Sequence, residues 1–223
     1  MAETPRRLID VLLNPSALWQ LVREYFDISR LRKTTPIRDK QALSEFISTR
    51  ASFVAQTSLY GYLRTRAGMR YPELFDDDPF VISINIAKWQ MWLACLSDLA
   101  VYAGGLLMKN PQAKEKVVAD LIKDIVNKIL EETGRPEDAG DKFFESANQV
   151  RQRLALCEFQ NISDNEQAFS HSPPALVEWA PIIDELKKMD EDIVINSVRF
   201  RWQKVRQDLR QALDSDEILN SLN

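Results

Sequence analysis

At 223 residues, with 45% hydrophobic and 28% charged side chains, the chain can bury a full core as one domain, and its six glycines, none before Gly61, argue against a turn-rich β fold. The net charge of −4 hides an asymmetry, since residues 1–70 carry 12 Lys and Arg against 6 Asp and Glu while the remainder carries 17 against 27. The basic residues are scattered rather than blocked, so the two parts are expected to neutralise each other in the fold, which argues against nucleic acid as a partner.

The start, MAETPRRLIDVLLNPSALW, puts Pro and charges where a secretory leader needs an apolar core, and Ala2 removes the myristoylation pattern. Cys95 and Cys157 have neither C-x-x-C nor zinc spacing. A cytoplasmic protein with no metal and no cofactor is the expectation.

In chain order, Thr4-Pro5 and Asn14-Pro15 each read as a cap followed by Pro at the first helical position, giving helices over 5–13 and 15–31. After Pro36 a long helix is expected over 38–66, with Leu43, Phe46, Ile47, Phe53, Val54, Tyr60 and Leu63 at helical spacing, ended by Gly68. The loop GMRYPELFDDDP leads to Asp78 as cap and Pro79 at the start of a central helix over 79–109. Asp76, Asp77 and Asp78 lack the spacing, the Gly and the closing Glu of an EF-hand loop, and suit the positive end of the helix dipole instead.

Asn110-Pro111 is expected to open an amphipathic helix to Thr133 with Val117, Val118, Leu121, Ile125 and Ile129 inward, stopped by Gly134. Another follows over 137–157 on Phe143, Ala147, Val150 and Leu154, then an irregular segment over 158–174 containing a sequon at Asn161. A short turn of helix precedes Pro181, and a long helical pattern reaches at least Leu213, with a break expected near Asp190. Within it Ile195, Val198, Trp202, Val205, Leu209 and Ala212 alternate spacings of three and four, the pattern of a helix-packing seam.

The central helix carries twenty residues, WQMWLACLSDLAVYAGGLLM, between Lys88 and Lys109, apolar on most of its circumference and interrupted by Asp98. A membrane span would have that length, but an Asp at mid-depth costs about 2.5–3.5 kcal/mol and no second segment matches it, so a buried core helix is the reading. An antiparallel hairpin with the preceding helix sets position 50 opposite position 94, within reach of Asp98, which predicts a buried Arg50–Asp98 ion pair. Gln56, Thr57 and Tyr60 join these two as candidates for a polar ligand pocket. Gly104-Gly105 in the helix interior requires close approach by another element or a ligand.

His171, the single histidine, sits in a Ser/Pro loop, and no G-x-S-x-G, Walker A or G-x-G-x-x-G occurs, so triad hydrolysis, histidine metal sites and Gly-rich phosphate loops have no support. Arg64, Arg66 and Arg70, interleaved with tyrosines, are the candidates for anion binding, with the nearby aspartates as the internal alternative.

The pattern defines an all-α, single-domain bundle of about seven to eight helices around the buried central helix, with residues 1–35 as an N-terminal arm packing on a 38–213 body. The functional expectation is a non-catalytic protein acting through protein contacts, a homodimer being one form, with Val198, Trp202, Val205 and Leu209 as interface candidates. The alternatives are a small-molecule binder or enzyme at Arg50 and Asp98, and a ligand-sensing transcription regulator. The last is opposed by an N-terminal region without Gly and broken at Pro5, Pro15 and Pro36, unlike a helix-turn-helix.

Overall fold

The Asp39 carboxylate accepts the Ala42 amide at 2.8 Å and so starts α1, Lys40–Ala67, which Gly68 ends at a positive φ of 56°. A computed structural model describes residues 35–221; the helices expected over 5–13 and 15–31, and the packing of the N-terminal arm, lie outside the described residues. Among the described residues the fold is all-α, with seven α-helices and no strand. The helices after α1 are α2, Asp78–Leu107; α3, Glu115–Thr133; α4, Phe143–Leu156; α5, Ser172–Trp179; α6, Asp184–Ala212; and α7, Ser215–Asn220.

Central helix α2 packs against α1, α3, α4 and α5, and 94% of its most apolar stretch is buried inside the chain. Among the described residues it is the one helix long and apolar enough to cross a membrane. Its burial follows from the pattern: with apolar side chains around nearly the whole circumference, every flank needs a neighbour, and each fully buried Leu or Met contributes about 1.5–3 kcal/mol. Lys88, at the expected border, is itself only 2% exposed and pairs with Asp138 at 2.9 Å, while the Trp89 indole donates to the same carboxylate at 2.6 Å.

That duty of Asp138 explains a shifted boundary. The fourth helix starts at Phe143 rather than 137, because the turn before it folds Asp138 and Ala139 inward and sets Gly140, at φ 72°, against Ile86. Likewise α3 starts at Glu115 rather than after Pro111, and the Asn110 side chain accepts the Gln112 amide in a local turn. The break expected near Asp190 is absent, and α6 runs unbroken for 29 residues. Helix α7 has no counterpart in the sequence reading, although Asp214 caps it by accepting the Glu217 amide. Ile37 exchanges backbone bonds with Ala212 and Asp214 at 2.8 and 3.0 Å, tying the start of α1 to the end of α6.

Candidate functional site

Asp98 lies midway along α2 with no exposed surface, and its ionic partner is Arg153 of α4, which donates to Oδ1 at 2.6 Å. The other carboxylate oxygen accepts the Ser172 amide at 2.7 Å, and the His171 amide points at both oxygens at 3.2 and 3.3 Å. Those amides open α5, so a side chain from α2 caps a helix remote in sequence and complements its dipole. Arg153 spends its other hydrogens on Ser97 Oγ at 2.9 Å, the Ala168 carbonyl at 3.0 Å and Ser170 Oγ at 3.3 Å. Ser172 Oγ accepts from the Trp202 indole at 2.9 Å, which brings α6 into the same network.

The expected Arg50–Asp98 pair is therefore corrected. The Arg50 guanidinium sits 5.2 Å over the Phe46 ring, and none of Arg50, Gln56, Thr57 and Tyr60 hydrogen-bonds Asp98. Thr57 donates to its own helix at the Phe53 carbonyl, Gln56 is buried, and burial with the charges of Tyr71 and Asp138 pushes the Tyr60 phenol up to about 12. The physical reason is that α4 flanks α2 on a side that the α1–α2 hairpin leaves open, and Arg153 projects from it beside Val150 and Leu154.

The irregular segment 157–171 is clamped onto α2 rather than loose. Phe159 lies over Gly104 and Ile162 over Gly105, where a Cβ at either glycine would collide with those side chains. Glu115 accepts the amides of Phe159 and Gln160 at 2.7 and 3.1 Å. Asp164 accepts from the Tyr102 hydroxyl at 2.6 Å and from Arg210 at 2.9 Å, and pairs with Lys109 at 3.4 Å. Partial burial pushes the Asp164 carboxyl up, but Tyr102, Arg210 and Lys109 together outweigh it and hold it at about 2. Phe169 stacks between Tyr102 and Trp202 at centroid distances of 5.1 and 4.6 Å.

The interface candidates Val198, Trp202, Val205 and Leu209 are all buried within this chain, so their seam is intramolecular, against the hydrophobic flanks of α1 and α5. Among the anion candidates, Arg66 forms a two-pronged pair with Asp190, which also accepts from the Tyr62 hydroxyl, and Arg70 pairs with Glu73 at 3.0 Å. Arg64 stands exposed on the last turn of α1. For Arg66 and Arg70 the neutralising acids are thus Asp190 and Glu73 rather than Asp76, Asp77 and Asp78.

Beside the Asp98 network, α2, α4 and the start of α5 enclose a cleft of about 450 Å³. Gln90, Leu93, Ser97 and Val150 form its buried floor, and Lys142, Glu145, His171 and Glu178 stand exposed around it. The Lys142 ammonium lies 5.5 Å over the Trp179 ring at one end. Partial burial of the ring and the Arg153 charge lower the His171 imidazole, with Asp98 opposing in part. Burial, reinforced by Asp98, pushes the Cys95 thiol well above its usual range and keeps it protonated and unreactive. Among the described residues no group of three or more His, Cys, Asp or Glu is placed to hold a metal ion.

Fold and site define an all-α bundle wrapped on one central helix, with a buried carboxylate that joins α4 to the start of α5. No family model matches the chain, and neither a curated protein nor a solved structure matches it.

Proposed function

We propose that the protein is a non-catalytic helical bundle that works through protein contacts, and that the outer face of α6 is its contact surface, taking a second copy of the same chain. The observation that carries this reading is a row of exposed apolar side chains, Met189 at 74%, Ile193 at 71% and Phe200 at 70%. With Leu186, Asn196 and Gln203 they follow spacings of three and four, a second seam on the side opposite Val198 and Trp202. Single exposed apolar residues need no explanation, but a row in helical register does.

Charge selects the occupant. The first half of α6 carries Asp184, Glu185, Asp190, Glu191 and Asp192 against Lys187 and Lys188, a net negative charge, and the second half Arg199, Arg201, Lys204, Arg206 and Arg210 against Asp208, a net positive one. Two copies laid antiparallel about Asn196 bring Ile193 of each beside Phe200 of the other and set the net-acidic half of one helix along the net-basic half of the other, the self-complementarity that a two-fold interface requires. The seam is short, which places the dimer at the weak end, below about 1,200 Å² of buried surface.

Sedimentation of the full chain tests it. A concentration-dependent dimer is expected, lost in Phe200→Glu and Ile193→Glu with unchanged melting temperatures. A wild type that stays monomeric up to about 1 mM, where complexes weaker than about −4 kcal/mol escape notice, overturns the reading. Variants that dimerise like the wild type overturn it equally.

A further inference from the structure

The floor of the cleft between α2, α4 and α5 contains a buried amide whose nitrogen finds no acceptor among the described residues. Gln90 is only 4% exposed, and its Nε2 has no hydrogen-bond partner among the described residues. Buried polar groups in native interiors are almost always paired, and an apolar residue of the same length would serve packing better at this position. Neighbouring Ser97 differs, because its hydroxyl already accepts from Arg153 at 2.9 Å. Unlike the buried Asp98, which is fully partnered, Gln90 is a donor held without an acceptor among the described residues.

The rest of the cleft states what the acceptor belongs to. Leu93 and Val150 make an apolar floor beside Gln90, and the half-buried Trp179 offers an indole at one end. A volume of about 450 Å³ falls in the range of small-molecule sites. At the rim Glu145 and Glu178 face a single cation, Lys142, whose ammonium is engaged with the Trp179 ring. That balance repels a carboxylate and leaves a neutral carbonyl as the matching acceptor.

We propose that this cleft binds a small neutral molecule with a planar apolar body, which presents a carbonyl or amide oxygen to Gln90 and packs over Leu93 and Val150 beside the Trp179 indole. The site is separate from the outer face of α6 and does not depend on dimerisation.

Benzamide is the probe, with benzoate and toluene as comparators of the same ring. In ¹H–¹⁵N spectra of the full chain, benzamide is expected to shift the Gln90 side-chain amide and the Trp179 indole resonance, while benzoate and toluene bind about tenfold more weakly, the usual worth of one hydrogen bond. Gln90→Met is expected to weaken benzamide about tenfold with a melting temperature equal to or above that of the wild type, since it removes an unpaired group. Ser146→Trp, which fills the cleft from the partly exposed side of α4, is expected to abolish binding and leave the fold intact. Unmoved Gln90 and Trp179 resonances at the solubility limit of benzamide overturn the proposal. So do equal affinities for the three probes, a Gln90→Met variant that binds like the wild type, or one that melts lower.

Discussion

Arg153 on α4 donates to Asp98 on α2 at 2.6 Å, and the partners differ in exposure, 18% for the arginine side chain and none for the aspartate. The asymmetry predicts unequal single substitutions. Arg153→Met strands a fully buried carboxylate and is expected to cost about 3–5 kcal/mol. In Asp98→Asn the remaining oxygen can still cap α5, and Arg153 can turn toward water, so a smaller loss of about 1–3 kcal/mol is expected. Denaturant unfolding of both and of the double variant checks this. The double variant should fall well short of the sum, and strict additivity would dismiss the coupling.

Gly104 and Gly105 predict a result opposite in sign to helix propensity. Alanine in an exposed helix interior gains about 1 kcal/mol over glycine. Here Gly104→Ala drives a methyl into the Phe159 ring and Gly105→Ala into Ile162, and overpacking of that kind costs about 1–3 kcal/mol. Both variants should melt below the wild type, and adding Phe159→Leu to Gly104→Ala should recover part of the loss. A Gly104→Ala variant that melts higher would mean that Phe159 does not pack tightly over Gly104.

These glycines also show how far the sequence can be read. Two glycines inside an otherwise perfect helix announce a close neighbour, and Asp98 in an apolar run announces a buried partner, because each violates a local rule that only tertiary contact can justify. Which neighbour and which partner are decided by the flank on which α4 and the 157–171 segment lie, and periodicity along one helix carries no such information. Arg153 was open to the logic applied to Arg50, since it follows Val150 by one turn on the inward side of its helix. The seam of α6 has the same ambiguity: spacing identifies a buried face, whereas burial of Val198 and Trp202 within the chain identifies its owner. The starts of α3 and α4 were hidden because Glu115 and Asp138 serve distant partners, Phe159 and Gln160 in one case and Lys88 and Trp89 in the other.

The two faces of α6 predict different failures for similar changes. Val205→Glu places an unpaired charge in the core, where losses above about 4 kcal/mol are expected, enough to unfold the chain. Phe200→Glu lies at an exposed position and should leave circular dichroism and melting unchanged while removing self-association. If the dimer is antiparallel and charge-matched, raising the salt concentration should also weaken it, since exposed charges are screened over about 8 Å at physiological ionic strength. A dimer that tightens with salt would point to apolar contact without the acid-to-base pairing.

Asp164 predicts the acid limb of the stability curve. Its carboxyl titrates at about 2 in the folded chain against 3.8 for an unperturbed group, because the Tyr102 hydroxyl, Arg210 and Lys109 favour the charged form more than partial burial opposes it. A depressed folded value means that the unfolded chain takes up the proton first. The stabilisation is therefore complete above pH 3.8 and lost as the pH falls toward about 2. Asp164→Asn removes this contribution: at pH 7 it should melt lower than the wild type, and between pH 4 and pH 2 the two melting curves should converge, the window set by the values of 3.8 and about 2. The hydrogen bond from Tyr102 at 2.6 Å survives in form with the asparagine oxygen, so the difference reports the charge and not the shape of the clamp. Melting curves that keep a constant separation across that window would assign the loss to packing of the 157–171 segment instead.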